Sequence, residues 1–424
     1  MREFNLKEII EGAYYPGVYT IKLRKKLHNN MEYEEFNEEE WQTFIHEYVH
    51  YLQDISTERG YVYFRHKAQL LNMCFYALQN NKDECVPLPI QFEDVKVKNA
   101  LEKDTQLDFY EGDYALKTIH HIDKMELEKD EAISEIIFED KKMELDVYNI
   151  YYDDKKVPYH FGNICIAESM AYLVEKCLFG ATKRERQLPY NACELVCENI
   201  YNELLEYPER IVQLCEIALM YEDSAKMFRN LLEICKAKKV AQMDTNDFNK
   251  FCVWIMKKQF SFFEKTYNEA KKGIDIVFPS QIPGMAIVNA KLHASIEGGH
   301  NYRKVENMFI SDAFFSDDPK EYFKGLIGKI EFPMIIDGQG DLYGSDEIQN
   351  LLVADAVLDI LLRDYKKSGC KLQECCKKCG IKSYDKDICT HKPWEQCNNK
   401  EYLCPVATYF IGYGVENKKY RWRE

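Results

Sequence analysis

The sequence predicts an α+β protein that is predominantly helical and ends in a small cysteine-rich module. Three observations lead there. Apolar residues recur at helical spacing over most of the 424 residues, period-two alternation is confined to a few short stretches, and seven of the 16 cysteines crowd between Cys370 and Cys404. The shifts in pattern divide the chain into residues 1–184, a mainly helical part over 185–364, and a cysteine-rich part over 365–424. Within the first part, residues 81–145 are charged and weakly patterned and read as an insertion.

In chain order, the segment "GVYTIKLRKKL" reads as a strand after a helical turn, and "HNN" ends it. It is either an edge open to an extended peptide or an ordinary core strand. A helix follows: Asn37 serves as N-cap with Glu40 three positions on, and Trp41, Phe44, Ile45, Tyr48, Val49, Leu52 and Ile55 recur on one face. "YVYFRHKAQLLNMCFYALQN" forms a second helix after Gly60. "MELDVYNIYYDDKKVPYHFG" reads as two strands around "DDKK", leading into a helix from Ile164 to Phe179 that Gly180 closes.

Residues 191–272 carry several amphipathic helical patterns without a fixed repeat. "KIEFPMIIDGQGDLYG" is a strand and turn, and "EIQNLLVADAVLDILLRDY" is a helix. The Asp337–Asp341 turn lacks the glycine and the bidentate glutamate of an EF-hand, since Leu342 and Ile348 stand in their places.

Composition limits the partners. The net charge is −15, yet residues 365–424 hold 13 Lys and Arg against 7 Asp and Glu, which leaves −21 on the rest. A body so acidic argues against nucleic acid as its partner. The N-terminus has no signal-type apolar run and no stretch reaches membrane-spanning length, so a cytoplasmic protein without a membrane partner is expected. Scattered cysteines such as Cys74, Cys165, Cys215, Cys235 and Cys252 occupy single apolar positions, as reduced core thiols do.

The helix after Asn37 carries "HEYVH". On a 100° wheel His46, Glu47, His50 and Asp54 lie opposite the apolar stripe. Two imidazoles one turn apart converge on one metal ion, and the glutamate beside them can take a proton from water. A solvated helix face fits the same wheel, so a third ligand decides. Glu168 stands on a helix apolar almost all round, where a carboxylate is costly unless paired or metal-bound. Glu175, two turns later on the same side, is placed to steady a histidine. Glu58, His66 and His160 are rival ligands, because His50 and Glu168 are 118 residues apart.

"HEYVH" together with "AESMAYLVE" resembles the gluzincin group of zinc metallopeptidases. The resemblance implies a zincin-like catalytic core in residues 1–184, with zinc on His46, His50 and Glu168 and Glu47 as general base. Tyr159 or His160, just before the Glu168 helix, is then a candidate donor to the oxyanion. The expected activity is peptide-bond hydrolysis, with a peptide or protein substrate.

In the last part, Cys370, Cys375, Cys376, Cys379, Cys389, His391, Cys397 and Cys404 form a ligand-rich stretch with one "CKKCG" knuckle. It holds too few large apolar residues to fold by burial alone. Structural zinc is the first reading and an iron-sulfur cluster the rival, with "CP" at Cys404 in its favour. A different class of function stays open: a non-catalytic metal-binding regulatory protein that meets protein or nucleic acid through this basic module.

Overall fold

The computed structural model describes residues 12–15, 19–24, 36–90, 110–113, 122–126, 133–138, 141–180, 188–281, 285–330, 332–339, 342–343, 349–362, 370, 372–378, 385–398 and 404–423. It is predominantly helical with a few small sheets, an α+β protein as expected.

Strand β1 (Gly12–Tyr15) pairs antiparallel with β2 (Thr20–Leu23), Gly12 opposite Leu23. Gly12 and Ala13 of β1 are partly buried and Tyr14 and Tyr15 buried; the helical turn expected before the strand falls on no described residue. Helix α1 spans Glu38–Ser56 and opens with the expected capping box between Asn37 and Glu40. Thr57 ends it and caps α2 (Glu58–Asn80). The corner needs Gly60, where a Cβ would lie 2.0 Å from the Asp54 carbonyl oxygen.

Strand β3 (Cys85–Leu88) follows, then β4 (Lys124–Glu126), β5 (Ile133–Phe138), β6 (Lys141–Tyr152) and β7 (Lys155–His160), with β4, β5 and β7 all paired to β6. The β6–β7 turn is Asp153–Asp154, both at positive φ, a conformation aspartate tolerates better than most residues. The turn is thus two residues, not all four of "DDKK". Helix α3 (Asn163–Phe179) closes on Gly180 at φ 67°.

The helical part consists of α4 (Ala192–Ile200), α5 (Pro208–Ala218), α6 (Ser224–Lys238), α7 (Thr245–Val277), α8 (Met285–Glu306) and α9 (Pro319–Ile327). Strands β8 (Met334–Ile336) and β9 (Leu342–Tyr343), then α10 (Gln349–Leu362), complete the body. Helices α11 (Gln373–Lys378), α12 (Lys386–His391) and α13 (Pro405–Gly412) and strand β10 (Lys419–Trp422) follow. Strand pairing crosses the sequence divisions at 184 and 364: β2 pairs parallel with β8, and β10 pairs parallel with β3. No described helix is long and apolar enough to cross a membrane.

Helix α1 lies at the centre, against α3, α8 and β1. Its polar face is buried too: every residue from Phe44 to Ser56 is buried, so the alternative of a solvated helix face does not hold. At its C-terminal end a Cβ on Gly299 of α8 would lie 2.4 Å from the Ile55 carbonyl oxygen, so the two helices touch backbone to backbone. There the fully buried Arg303 donates to Ser56 O and Ser56 Oγ and pairs with buried Glu216. Glu216 also accepts from the backbone of Ile310 and Ser311.

Candidate metal centre

Residues from α1 and α3 build the site. Their ligand-capable atoms on His46, His50 and Glu168 lie within 4.8 Å of one another, all three side chains buried, and no other such group occurs among the described residues. Glu168 Oε2 is 3.3 Å from His46 Nε2 and 3.4 Å from His50 Nε2. The two Nε2 atoms thus face the same carboxylate oxygen, as ligands converging on one ion do.

The other ring nitrogens are held from behind. His46 Nδ1 is 2.9 Å from Glu175 Oε2, and His50 Nδ1 is 3.0 Å from Gln53 Oε1. Gln53 Nε2 in turn donates to the Ala167 carbonyl on α3 at 3.1 Å. Each imidazole therefore has an acceptor on Nδ1, which favours the tautomer that leaves Nε2 free to bind metal. Tyr14 of β1 stacks on His50, centroids 6.2 Å apart, and donates to Asp54 Oδ2 at 2.9 Å.

The electrostatics favour positive charge at the site. Burial lowers the His46 pKa, but the hydrogen-bonded carboxylates of Glu168 and Glu175 and the charge of Glu47 outweigh it and push it up to about 10. For Glu168, burial acts upward and is outweighed by His50 and His46, which hold it well below the usual carboxylate range. Three buried glutamates around two imidazoles are a costly arrangement unless positive charge sits among them. Two nitrogens and one carboxylate oxygen make a donor set compatible with zinc.

Glu47 lies on the β1 side of the helix. A Cβ on Gly12 would fall 3.0 Å from Glu47 Oε1 and 2.7 Å from Thr43 Cγ2, so the glycine is what lets the strand pass over this carboxylate.

Tyr159 and His160 are not brought into the cluster. The Tyr159 hydroxyl donates to the Asp113 carbonyl at 2.9 Å and touches Cys165 Sγ at 3.3 Å. His160 Nδ1 pairs with Asp113 at 2.9 Å, which raises its pKa. A different phenol lies beside the site: the Tyr190 ring is 5.9 Å from the His46 ring. It follows Pro189, whose carbonyl accepts from Ser169 Oγ, while Ser169 Oγ accepts from Cys193 N. Neither Tyr14 nor Tyr190 stands out in the sequence, since each reaches the site only through tertiary packing. Of the rival ligands, Glu58 accepts from Gln259 and His66 lies buried on α2, both apart from the cluster.

In the cysteine-rich part, Cys379 and the side chains of Cys375 and Cys397 lie outside the described residues. Cys370, Cys389 and Cys404 are buried, Cys376 is partly buried and His391 is exposed. Cys370 N donates to the Cys389 carbonyl at 3.1 Å. Burial raises the Cys404 thiol, as does the charge of Cys389, while backbone N–H groups of Ala407 and Val406 act downward.

No protein family, curated protein or solved structure matches this chain.

Proposed function

We propose that the protein is a zinc-dependent metallopeptidase working in the cytoplasm, with His46, His50 and Glu168 as metal ligands and Glu47 as general base. The observation that carries this reading is the juxtaposition of a two-histidine, one-glutamate donor set with a further carboxylate, Glu47, that is not one of the three grouped residues and lies under β1. A site that only stores metal has no chemical use for that carboxylate. Buried thiols at Cys74, Cys165, Cys193, Cys197, Cys215, Cys235 and Cys252 fit a reducing compartment.

A zinc ion held there supplies Lewis acidity toward a peptide carbonyl and toward water. The chain's own groups do the rest. Glu47 takes the proton from the attacking water and delivers it to the departing amine, so one carboxylate serves first as base and then as acid. Glu175 and Gln53 hold the two imidazoles in one tautomer and orientation. Tyr190 replaces Tyr159 and His160 as the donor that steadies the developing oxyanion, because its ring alone of the three adjoins His46. Among the described residues β1 pairs only with β2, so its other edge can hold an extended peptide by backbone hydrogen bonds beside Glu47.

The test is Glu47→Gln, assayed on a mixed peptide library by mass spectrometry. Hydrolysis by the wild type, loss of hydrolysis in the variant and unchanged zinc content are expected. Hydrolysis that survives the substitution would overturn the mechanism. If neither protein cleaves while both hold zinc, the non-catalytic metal-binding reading takes its place.

A further inference from the structure

Helix α7 buries one side in the core through Cys252, Ile255, Met256, Phe263, Tyr267, Ala270 and Ile274. Its other side is unusual for so acidic a protein. Trp254, Phe262 and Ile276 are 54%, 48% and 38% exposed along it. Between them stand the exposed Lys257, Lys258, Lys265 and Lys272.

The lysines at 258, 265 and 272 repeat every seven residues. A seven-residue step drifts only about 20° on a helix, so they form one line with a spacing of about 10.5 Å. Among the described residues none of the four is ion-paired; Lys258 Nζ instead lies 3.5 Å from the Trp254 ring centroid and Lys265 Nζ 5.9 Å from that of Phe262. The carboxylates flanking the stripe are already taken, Glu269 by Arg65, Asp275 by His293, and Glu264 by Lys304 and His300. What remains is a straight ridge about 33 Å long from Trp254 to Ile276, uncompensated in charge and tipped with large apolar groups.

From this we infer that the ridge docks the protein on an anionic phospholipid surface without crossing it. Three features favour that partner over a protein or a nucleic acid. A convex, straight ridge is complementary to a plane. The apolar residues sit 8 and 14 positions apart, not at the i, i+3, i+4, i+7 spacing with which a helix fills a partner's groove. Lysines interleaved with Trp and Phe are the side chains that settle in the headgroup layer, stems buried and ammonium groups at the phosphates. The −15 net charge does not prevent this, since charges on the far side of the body lie beyond the ~10 Å screening length at 0.1 M salt.

The experiment is sedimentation of the full chain with phosphatidylcholine vesicles, with and without phosphatidylserine. Binding that needs phosphatidylserine and weakens with salt is expected. Lys258→Glu/Lys265→Glu/Lys272→Glu should reduce it on the order of a hundredfold, given about 1 kcal/mol for each lysine at such a surface. Trp254→Ala/Phe262→Ala should reduce it without altering the salt dependence. A charge-matched control, Lys236→Glu/Lys238→Glu/Lys386→Glu, should bind as the wild type. No phosphatidylserine-dependent binding, an equal loss in the control, or retention only by a single-stranded oligonucleotide or polyglutamate would overturn the inference.

Discussion

His46 Nδ1 lies 2.9 Å from Glu175 Oε2, and Glu175 stands two turns beyond Glu168 on the helix that carries the proposed third ligand. One helix therefore provides both the ligand and the group that orients its neighbour. Glu175→Ala is expected to lower zinc affinity about 10- to 100-fold without abolishing the site, measured by chelator competition. An affinity equal to that of the wild type would show that this pair is packing alone.

The cluster itself predicts a sharper result. His46→Ala/His50→Ala and Glu168→Ala should each lose one zinc per chain by elemental analysis, whereas Tyr159→Phe and His160→Gln should lose none. Retention of metal by the histidine variant would remove α1 from the metal site.

Gly12 tests the geometry around Glu47. A side chain at this position meets Thr43 and the Glu47 carboxylate, so Gly12→Val should displace Glu47 while leaving the ligands in place. The expected outcome is zinc bound at wild-type stoichiometry with hydrolysis lost, and comparable hydrolysis by the variant would place Glu47 elsewhere in the chemistry.

The Arg303–Glu216 pair is fully buried and anchors the end of α1 through Ser56. Removing one charge strands the other, so Arg303→Met should destabilise the fold by about 3–5 kcal/mol in denaturant unfolding. A loss below about 1 kcal/mol would mean that water reaches Glu216.

Burial raises the Glu58 carboxyl from 4.5 to about 7, against the lowering effect of its hydrogen bond from Gln259. The folded chain then holds a proton that the unfolded chain releases, so Glu58 costs stability as the pH rises from 4.5 through 7. Glu58→Gln should add up to about 3 kcal/mol at pH 8 and little at pH 4, an effect read from unfolding curves at the two values. A gain that does not vary with pH would place its cause in packing.

The elements that could be read from the sequence are those specified locally. The Asn37 capping box, the apolar period of α1 and the Gly180 stop of α3 each act within a few residues, and each stands within a residue of its expected place. Glu168 was legible because a carboxylate in an apolar helix demands a partner. Gln53, Tyr14 and Tyr190 were not, because a glutamine that bridges α1 to the Ala167 carbonyl, a ring that stacks on His50 and a ring that meets His46 edge-on carry no signal before the chain has folded. The sequence leaves open whether the polar face of α1 is solvated for the same reason: α3, α8 and β1 pack on the helix from distant parts of the chain.

The separation of 118 positions between His50 and Glu168 would give a metal bound as proposed a role in assembly. A nascent chain carries both histidines long before it carries the third ligand, so tight binding waits until α3 has been made and has docked on α1. Metal capture then reports that the two central helices have met. At a hundred times its dissociation constant the ion would hold them together by about 2.7 kcal/mol, a large share of the margin by which a domain stays folded.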